Sequence, residues 1–204
     1  MTVAINKTSL KQQRDQLEMY LRFLPSLEMK RQQLIAEYQR ACGQLTLTEQ
    51  ETRDVYESHR GLFALLGASE QDLAGLVRVV SVGVTQENVL GAYLPVLTEV
   101  QFQVTEYSML AKPFWVDLVV ELLQRLGRLR IRQNIEEERV LRLKAALRRI
   151  TQRVNLFEQV LVPQTRENIQ RIRVLLADAE RAAVVRSKIA KAKRRSDESS
   201  RRYF

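Results

Sequence analysis

The 204-residue sequence predicts an all-α-dominated fold. Two long helices pair as an antiparallel coiled coil, with a small β-hairpin head in the middle of the chain. Three observations carry this. Apolar residues recur at alternating steps of three and four over more than fifty positions at the start of the chain. A second stripe of the same rhythm runs from Leu122 towards the C-terminus. Six of the seven glycines (Gly43, Gly61, Gly67, Gly75, Gly83, Gly91) lie between residues 43 and 91, and no glycine follows Gly127. Helices are broken by glycine and proline, so a stretch from Arg128 to Phe204 with Pro163 as its one breaker reads as a long helix.

The first stripe starts at Leu10 and passes through Leu17, Leu24, Leu34, Ala41, Thr48, Val55, His59 and Leu62 to Leu66; twelve of its seventeen positions are apolar. A mean spacing of 3.5 residues defines a seam that winds left-handed around a partner helix. At about 1.5 Å per residue one helix over 10–66 spans roughly 85–90 Å, too long for a globular core. Pro25 lies inside this seam without changing its phase. The expectation is a continuous, kinked helix, although an interior proline costs about 3 kcal/mol.

Two β-branched runs follow. LVRVVSVGV (76–84) and VLTEVQFQV (96–104) read as strands, and Val100, Phe102 and Val104 alternate with polar residues. TQENVLGAYLP joins them, with Gly91 and Pro95 read as turn residues. The second long helix starts at 111–117, where Pro113 is tolerated in the first turn. Its seam runs Leu122, Leu126, Leu129, Gln133, Glu136, Val140, Leu143, Leu147, Ile150, Val154, Phe157 and Leu161, ten of twelve apolar. The rhythm then slips near Pro163, through Thr165 to Ile169, and resumes at Ile172, Leu176, Ala179 and Ala183. An extra step of four is a stutter that unwinds the supercoil locally, and Pro163 removes a backbone donor there, so a bend is expected. The polar tail after Arg195 reads as a fraying end. The implied organisation is an N-terminal helix (1–70), a hairpin head (71–110) and a C-terminal helix with a basic tail (111–204). Pairing two such helices gives a rod with both termini at one end, which has no concave core to enclose a substrate.

Composition excludes several kinds of chemistry. One Cys and one His can form neither a disulfide nor a four-ligand zinc site. His59 sits on the seam and reads as structural. Cys42 reads as a packing residue with no second His to activate it. No phosphate-cradling glycine loop is present, so neither a catalytic residue nor a cofactor is assigned. Glu136, Glu137 and Glu138 splay about 100° apart on a helix and suit cation contacts rather than acid–base catalysis. Trp115 either anchors the head or meets a partner. No stretch of 18 apolar residues marks a membrane span, and the first residues lack a signal-peptide core, which agrees with a cytoplasmic setting.

The formal charge of +9 is unevenly distributed. Residues 1–121 hold 11 basic and 15 acidic side chains, and residues 122–204 hold 22 and 9, so the second part carries +13. The basic residues form three groups: Arg125, Arg128, Arg130 and Arg132; Arg148, Arg149 and Arg153; and Lys188, Lys191, Lys193, Arg194, Arg195, Arg201 and Arg202. Such a segment fits nucleic acid, an anionic membrane surface or an acidic protein partner, and a generic coiled-coil scaffold is a further class. Sparse aromatics remove the stacking platforms that single-strand binders use.

Three local motifs narrow the choice. Arg153-Val154-Asn155-Leu156-Phe157-Glu158-Gln159-Val160-Leu161-Val162-Pro163 is followed by Glu167, Asn168, Ile169 and Ile172. It resembles the Arg-Val-Asn-Ala-Leu-Glu-x-Val-x-Ile-Pro run, with its Glu-Asn continuation, of the D subunits of the V-type/A-type rotary ATPases (ATP synthases). Asn88-Val89-Leu90-Gly91-Ala92-Tyr93-Leu94-Pro95 is similar to that family's Asn-Val-x-Gly-Val-x-x-Pro stretch, and Asn6-Lys7-Thr8-Ser9-Leu10 to its opening. The resemblance covers nearly the whole chain. It implies a non-catalytic rotor shaft, peripheral to the membrane, that couples ion flow to ATP synthesis or hydrolysis. The implied partners are the catalytic A and B subunits, the F subunit, and the C subunit (d in eukaryotes) at the membrane ring. On that reading Lys188, Lys191, Lys193, Arg194 and Arg195 meet the catalytic hexamer. Asn88, Gly91 and Pro95 mark a second contact region, and Pro163 marks a bend in the shaft.

Overall fold

A computed structural model describes the backbone of residues 6–68, 75–105 and 115–201, with side chains described as far as Arg194. Helix α1 spans Lys7–Ser58 and α2 spans Arg60–Ala68. Strands β1 (Val77–Val89) and β2 (Ala92–Val104) follow, then α3 (Trp115–Asn155), a six-residue π-helix (Leu156–Leu161) and α4 (Val162–Arg201). The expected fold class of long N- and C-terminal helices around a hairpin is therefore observed. The chain divides into two units, Lys30–Ile150 and Met1–Met29 with Thr151–Phe204.

The seams set what is shielded. From Leu10 to Leu66 every one of the seventeen stripe positions is buried or half-buried, including Thr48 and His59. Pro25 lies within α1, which runs on through it, so the helix is continuous there as the unbroken phase implied. The helix does not run on to Leu66 uninterrupted. It ends at Ser58, His59 forms a turn, and α2 resumes at Arg60. The Ser58 hydroxyl and the His59 ring both turn back onto the Val55 carbonyl, at 3.1 and 2.8 Å, and compete locally with the helical ladder.

In the Lys30–Ile150 unit, Val55 packs with Leu122 and Leu129, and Leu62, Phe63 and Leu126 close around them. Arg125 on α3 pairs with Glu51 on α1 at 3.9 Å, so the two helices run antiparallel here. Leu34 and Leu143 are among the most deeply buried side chains of the chain. A second cluster joins Leu76, Val116 and Val120 with Val77 and Trp115, which gives Trp115 the anchoring role. Pro113 lies outside the described residues.

The strands are longer than their β-branched cores. The whole TQENV segment continues β1, and the turn shrinks to Leu90 and Gly91. Both have positive φ, 54° and 85°, as a two-residue hairpin turn with the right twist requires. Pro95 is not a turn residue. It is buried in β2 opposite Gln86. A two-stranded sheet offers each strand a free side, where a missing N–H costs no ladder bond. Register shifts at Val79/Ser81 and Gly83/Val84 place one extra residue on each strand, Val80 and Thr98.

In the other unit, Lys7 pairs with Glu180 at 3.2 Å, Gln13 accepts from Asn168 at 3.4 Å, and the Tyr20 and Phe157 rings meet edge-on with centroids 5.4 Å apart. These contacts again define an antiparallel helix pair. The stutter takes the form of the π-helix, in which the Val162 N–H donates to the Phe157 carbonyl, five residues back. One wider turn absorbs the extra residue and moves the carbonyl that the Pro163 ring would otherwise strike. Thr165 and Ile169 are buried after the slip, as the shifted rhythm requires. Thr165 satisfies its hydroxyl on the Leu161 carbonyl at 2.6 Å.

Two expectations fail at the C-terminal end. Ala179 and Ala183 are exposed, and every residue from Ala177 to Arg194 is exposed. The opposing helix begins at Lys7, level with Glu180, so beyond it no described segment covers the stripe. The backbone after Arg195, read as a fraying end, is helical as far as Arg201, and residues 202–204 lie outside the described residues.

Candidate functional site

The groups that could act are of three kinds: a basic helix end, a hairpin and a charged groove. On α4 the side chains of Lys188, Lys191 and Arg194 are exposed, as is Lys193. Arg195 lies on the same helix, with its side chain outside the described residues. Val184, Val185 and Ile189 are exposed on the same stretch, so the helix end presents both charge and apolar surface. Arg181 pairs with Asp178 at 3.5 Å, one turn away, an exposed pair of little energetic weight.

Of the other two basic groups, Arg148, Arg149 and Arg153 are exposed, whereas the first group is engaged in internal contacts. Arg125 reaches Glu51, Arg130 donates to Gln133, Arg132 pairs with Glu136 at 3.0 Å, and Arg128 lies over the Phe102 ring, 5.5 Å from its centroid. The carboxylate cluster behaves as its splay predicts: Glu136 takes Arg132, Glu137 accepts from Gln133, and Glu138 takes Arg142. Arg142 also donates to the Tyr93 carbonyl, and Arg139 pairs with Glu87 at 3.0 Å, tying α3 to the hairpin. Sequence reading missed these cross-element arginines, because nothing in their spacing shows which strand lies opposite.

Asn88, Gly91 and Pro95 are explained first by the hairpin itself. The Asn88 side-chain oxygen accepts from the Gly91 N–H at 2.8 Å and closes the turn. Gly91 supplies its positive φ, and the Lys30 ammonium approaches that turn from α1. A groove of about 640 Å³ runs between β2 and α3, lined by Pro95, Leu97, Val100, Arg128, Arg132 and Glu136 among others. The second oxygen of Glu136 is buried in it with no hydrogen-bond partner among the described residues.

Among the described residues, no group of three or more His, Cys, Asp and Glu side chains could hold a metal ion. The His59 ring rests on the Val55 carbonyl at 2.8 Å and beside the Ser58 hydroxyl at 3.0 Å. Cys42 sits beside Tyr38 one turn away; their hydrogen bond, then the charge interaction between them, then burial push the Tyr38 phenol above its ordinary range. No helix among the described residues is long and apolar enough to cross a membrane.

Comparison with known proteins agrees with this architecture. The family model for the D subunit of ATP synthase matches residues 9–192. The D subunit of a V-type ATP synthase from Borreliella burgdorferi is 30% identical over 189 residues, covering 93% of each chain. The one from Chlamydia trachomatis serovar L2 is 32% identical over 197 residues, covering 94% of this chain and 95% of its own. With two paired long helices, a central hairpin and a match over nearly its full length, the chain belongs to the family of ATP synthase D subunits.

Proposed function

We propose that this chain is the central rotor shaft of a V/A-type rotary ATPase. It transmits torque between a membrane rotor and a catalytic hexamer and carries out no nucleotide chemistry itself. The observation that carries this reading is the end of α4: helical to Arg201, exposed throughout from Ala177 to Arg194, basic, and apolar at Val184, Val185 and Ile189. A helix with that much unshielded apolar surface gains stability when a surrounding partner covers it. A basic surface also turns past acidic walls without needing one fixed pocket. The A and B subunits supply such a cavity, the F subunit binds along the shaft, and the C subunit (d in eukaryotes) joins it to the membrane ring. The complex then lies at the cytoplasmic face of the membrane. The shielded seams supply stiffness. The π-turn ahead of Pro163 supports a bend that would let each catalytic subunit meet a different face of the shaft.

The test is purification of the intact ATPase from the native cell in mild detergent, with wild-type chain and with Lys188, Lys191, Lys193, Arg194 and Arg195 neutralised to Gln. Wild type should co-purify with A, B and F subunits, and the variant should lose assembly or coupled ATPase activity by more than tenfold. An otherwise complete ATPase lacking this chain overturns the reading. A salt-sensitive mobility shift with DNA or RNA at physiological ionic strength would favour the nucleic-acid alternative instead.

A further inference from the structure

Each strand of the hairpin keeps an outer edge among the described residues; β2 carries Pro95 and Glu99, whereas β1 is long and uncharged at its centre. β1 pairs with β2 along one side, and among the described residues no backbone hydrogen bond joins the stretch Ser81 to Val89 of β1 to any other element. The tight packing falls on β2, where Leu94 and Pro95 are buried and Phe102 lies against Gly127 and Arg128. On β1, by contrast, Val80, Val82 and Val84 are 60%, 40% and 48% exposed. An open edge presents unpaired N–H and C=O groups at every second residue. Isolated proteins blunt such edges with charge, proline or brevity. β1 has thirteen residues, no proline, and no charged side chain between Arg78 and Glu87. Its one extra residue is Val80; the second register shift puts its extra residue, Thr98, on β2. The outer edge from Ser81 to Val89 is therefore uninterrupted.

The chemistry of the edge defines its occupant. Only an extended backbone offers donors and acceptors at the repeat of a strand ladder. The uncharged centre calls for a neutral segment with apolar side chains beside Val82 and Val84. At the far end Glu87 is already held by Arg139, whereas Arg78 has no carboxylate among the described residues. We propose that the outer edge of β1, Ser81 to Val89, is a docking site. It accepts an extended, alternately apolar segment of another ATPase subunit, with an acidic residue at its Arg78 end. The inference rests on the shaft reading only for the source of the segment.

Residue-resolved amide hydrogen exchange tests it, comparing the isolated chain with the assembled ATPase. The expected result is slowing of at least tenfold at every second amide between Ser81 and Val89, while the amides facing β2 stay protected in both states. Replacing both exposed valines (Val82→Lys, Val84→Lys) should abolish the slowing, with the β2-facing amides still protected to show an intact hairpin. Equal exchange in both states overturns the proposal and leaves the shaft reading standing. Slowing without alternation means a helix or loop lies on the valines, and the same protection in a self-associated isolated chain means a second copy does; each overturns it. If the chain is absent from the purified ATPase, the shaft reading falls and this proposal falls with it.

Discussion

The two units use the same seam rhythm and obtain different results from it. In the Lys30–Ile150 unit, two helices and a hairpin share the burial. Leu143 reaches 0% exposure, Leu94 on the strand does the same, and Arg139 and Arg142 bind the hairpin to α3. In the unit of Met1–Met29 with Thr151–Phe204, two helices face only each other. Ile172 is almost fully buried, yet one turn later Leu176 is only half-buried, and from Ala177 onward shielding stops. A two-helix seam buries about one residue per turn from each helix. A third element is what turns that line into a core. The bare end of α4 shows what apolar rhythm gives when the opposing helix runs out.

The comparison can be broken most directly at Leu143. Leu143→Ala should cost about 2–5 kcal/mol in urea unfolding, because truncating a side chain with no exposure leaves a cavity in the unit of two helices and a hairpin. Ile172→Ala, in the two-helix unit, should fall near the low end of the same range, about 2 kcal/mol, since an open pair relaxes more easily. Equal losses at both sites would show that the hairpin adds no rigidity. Gly91→Ala should cost about 1–2 kcal/mol, because its φ of 85° places a Cβ against the following carbonyl. Leu90→Asn, at φ 54°, should stabilise the hairpin by about 0.5–1 kcal/mol. The pair of results tests whether the turn, rather than strand composition, holds the β1–β2 register. Thr165→Val should cost about 1 kcal/mol, the net worth of the hydroxyl bond to Leu161 beside the π-turn. The smallest effect belongs to the bare helix end. Val184→Ala should change stability of the free chain by less than about 0.5 kcal/mol, and a larger loss would mean that the free chain already covers this surface.

Several features could be read before any coordinates. The seams were legible because burial on a helix forces a 3.5-residue rhythm, and all seventeen positions of the first stripe are shielded. The β-branched runs at 76–84 and 96–104 located the non-helical middle, whereas Gly43, Gly61 and Gly67 lie within helices. The slip near Pro163 located an irregularity but not its form: a stutter can be spread over several turns or gathered in one, and the π-helix at Leu156–Leu161 gathers it. Pro95 was misread because proline marks turns more often than strands, and a free strand side is invisible in one sequence. The boundary between α1 and α2 at His59 was hidden because backbone bonds from the His59 N–H to Val55 and from the Phe63 N–H to His59 span it and the apolar spacing does not change. Of the candidate site residues, the basic ones on α4 stand out by composition. Asn88 and Gly91 instead owe their pattern first to closing a turn.

The amino-acid sequence by itself determined that the chain forms two long amphipathic helices around a β-branched middle, because periodicity and breaker placement are local properties of the chain. It also determined that the positive charge lies in the last two fifths. Only the tertiary structure decided which of those charges remain available. Arg125, Arg128 and Arg132 are satisfied by a neighbouring helix or strand, or within α3, while the α4 end beyond Leu176 meets no opposing helix among the described residues. Tertiary structure likewise decided that the outer edge of β1 has no backbone partner among the described residues. Whether a side chain or a backbone group finds a partner depends on which distant segment lies opposite, and that is a property of the fold, not of local sequence.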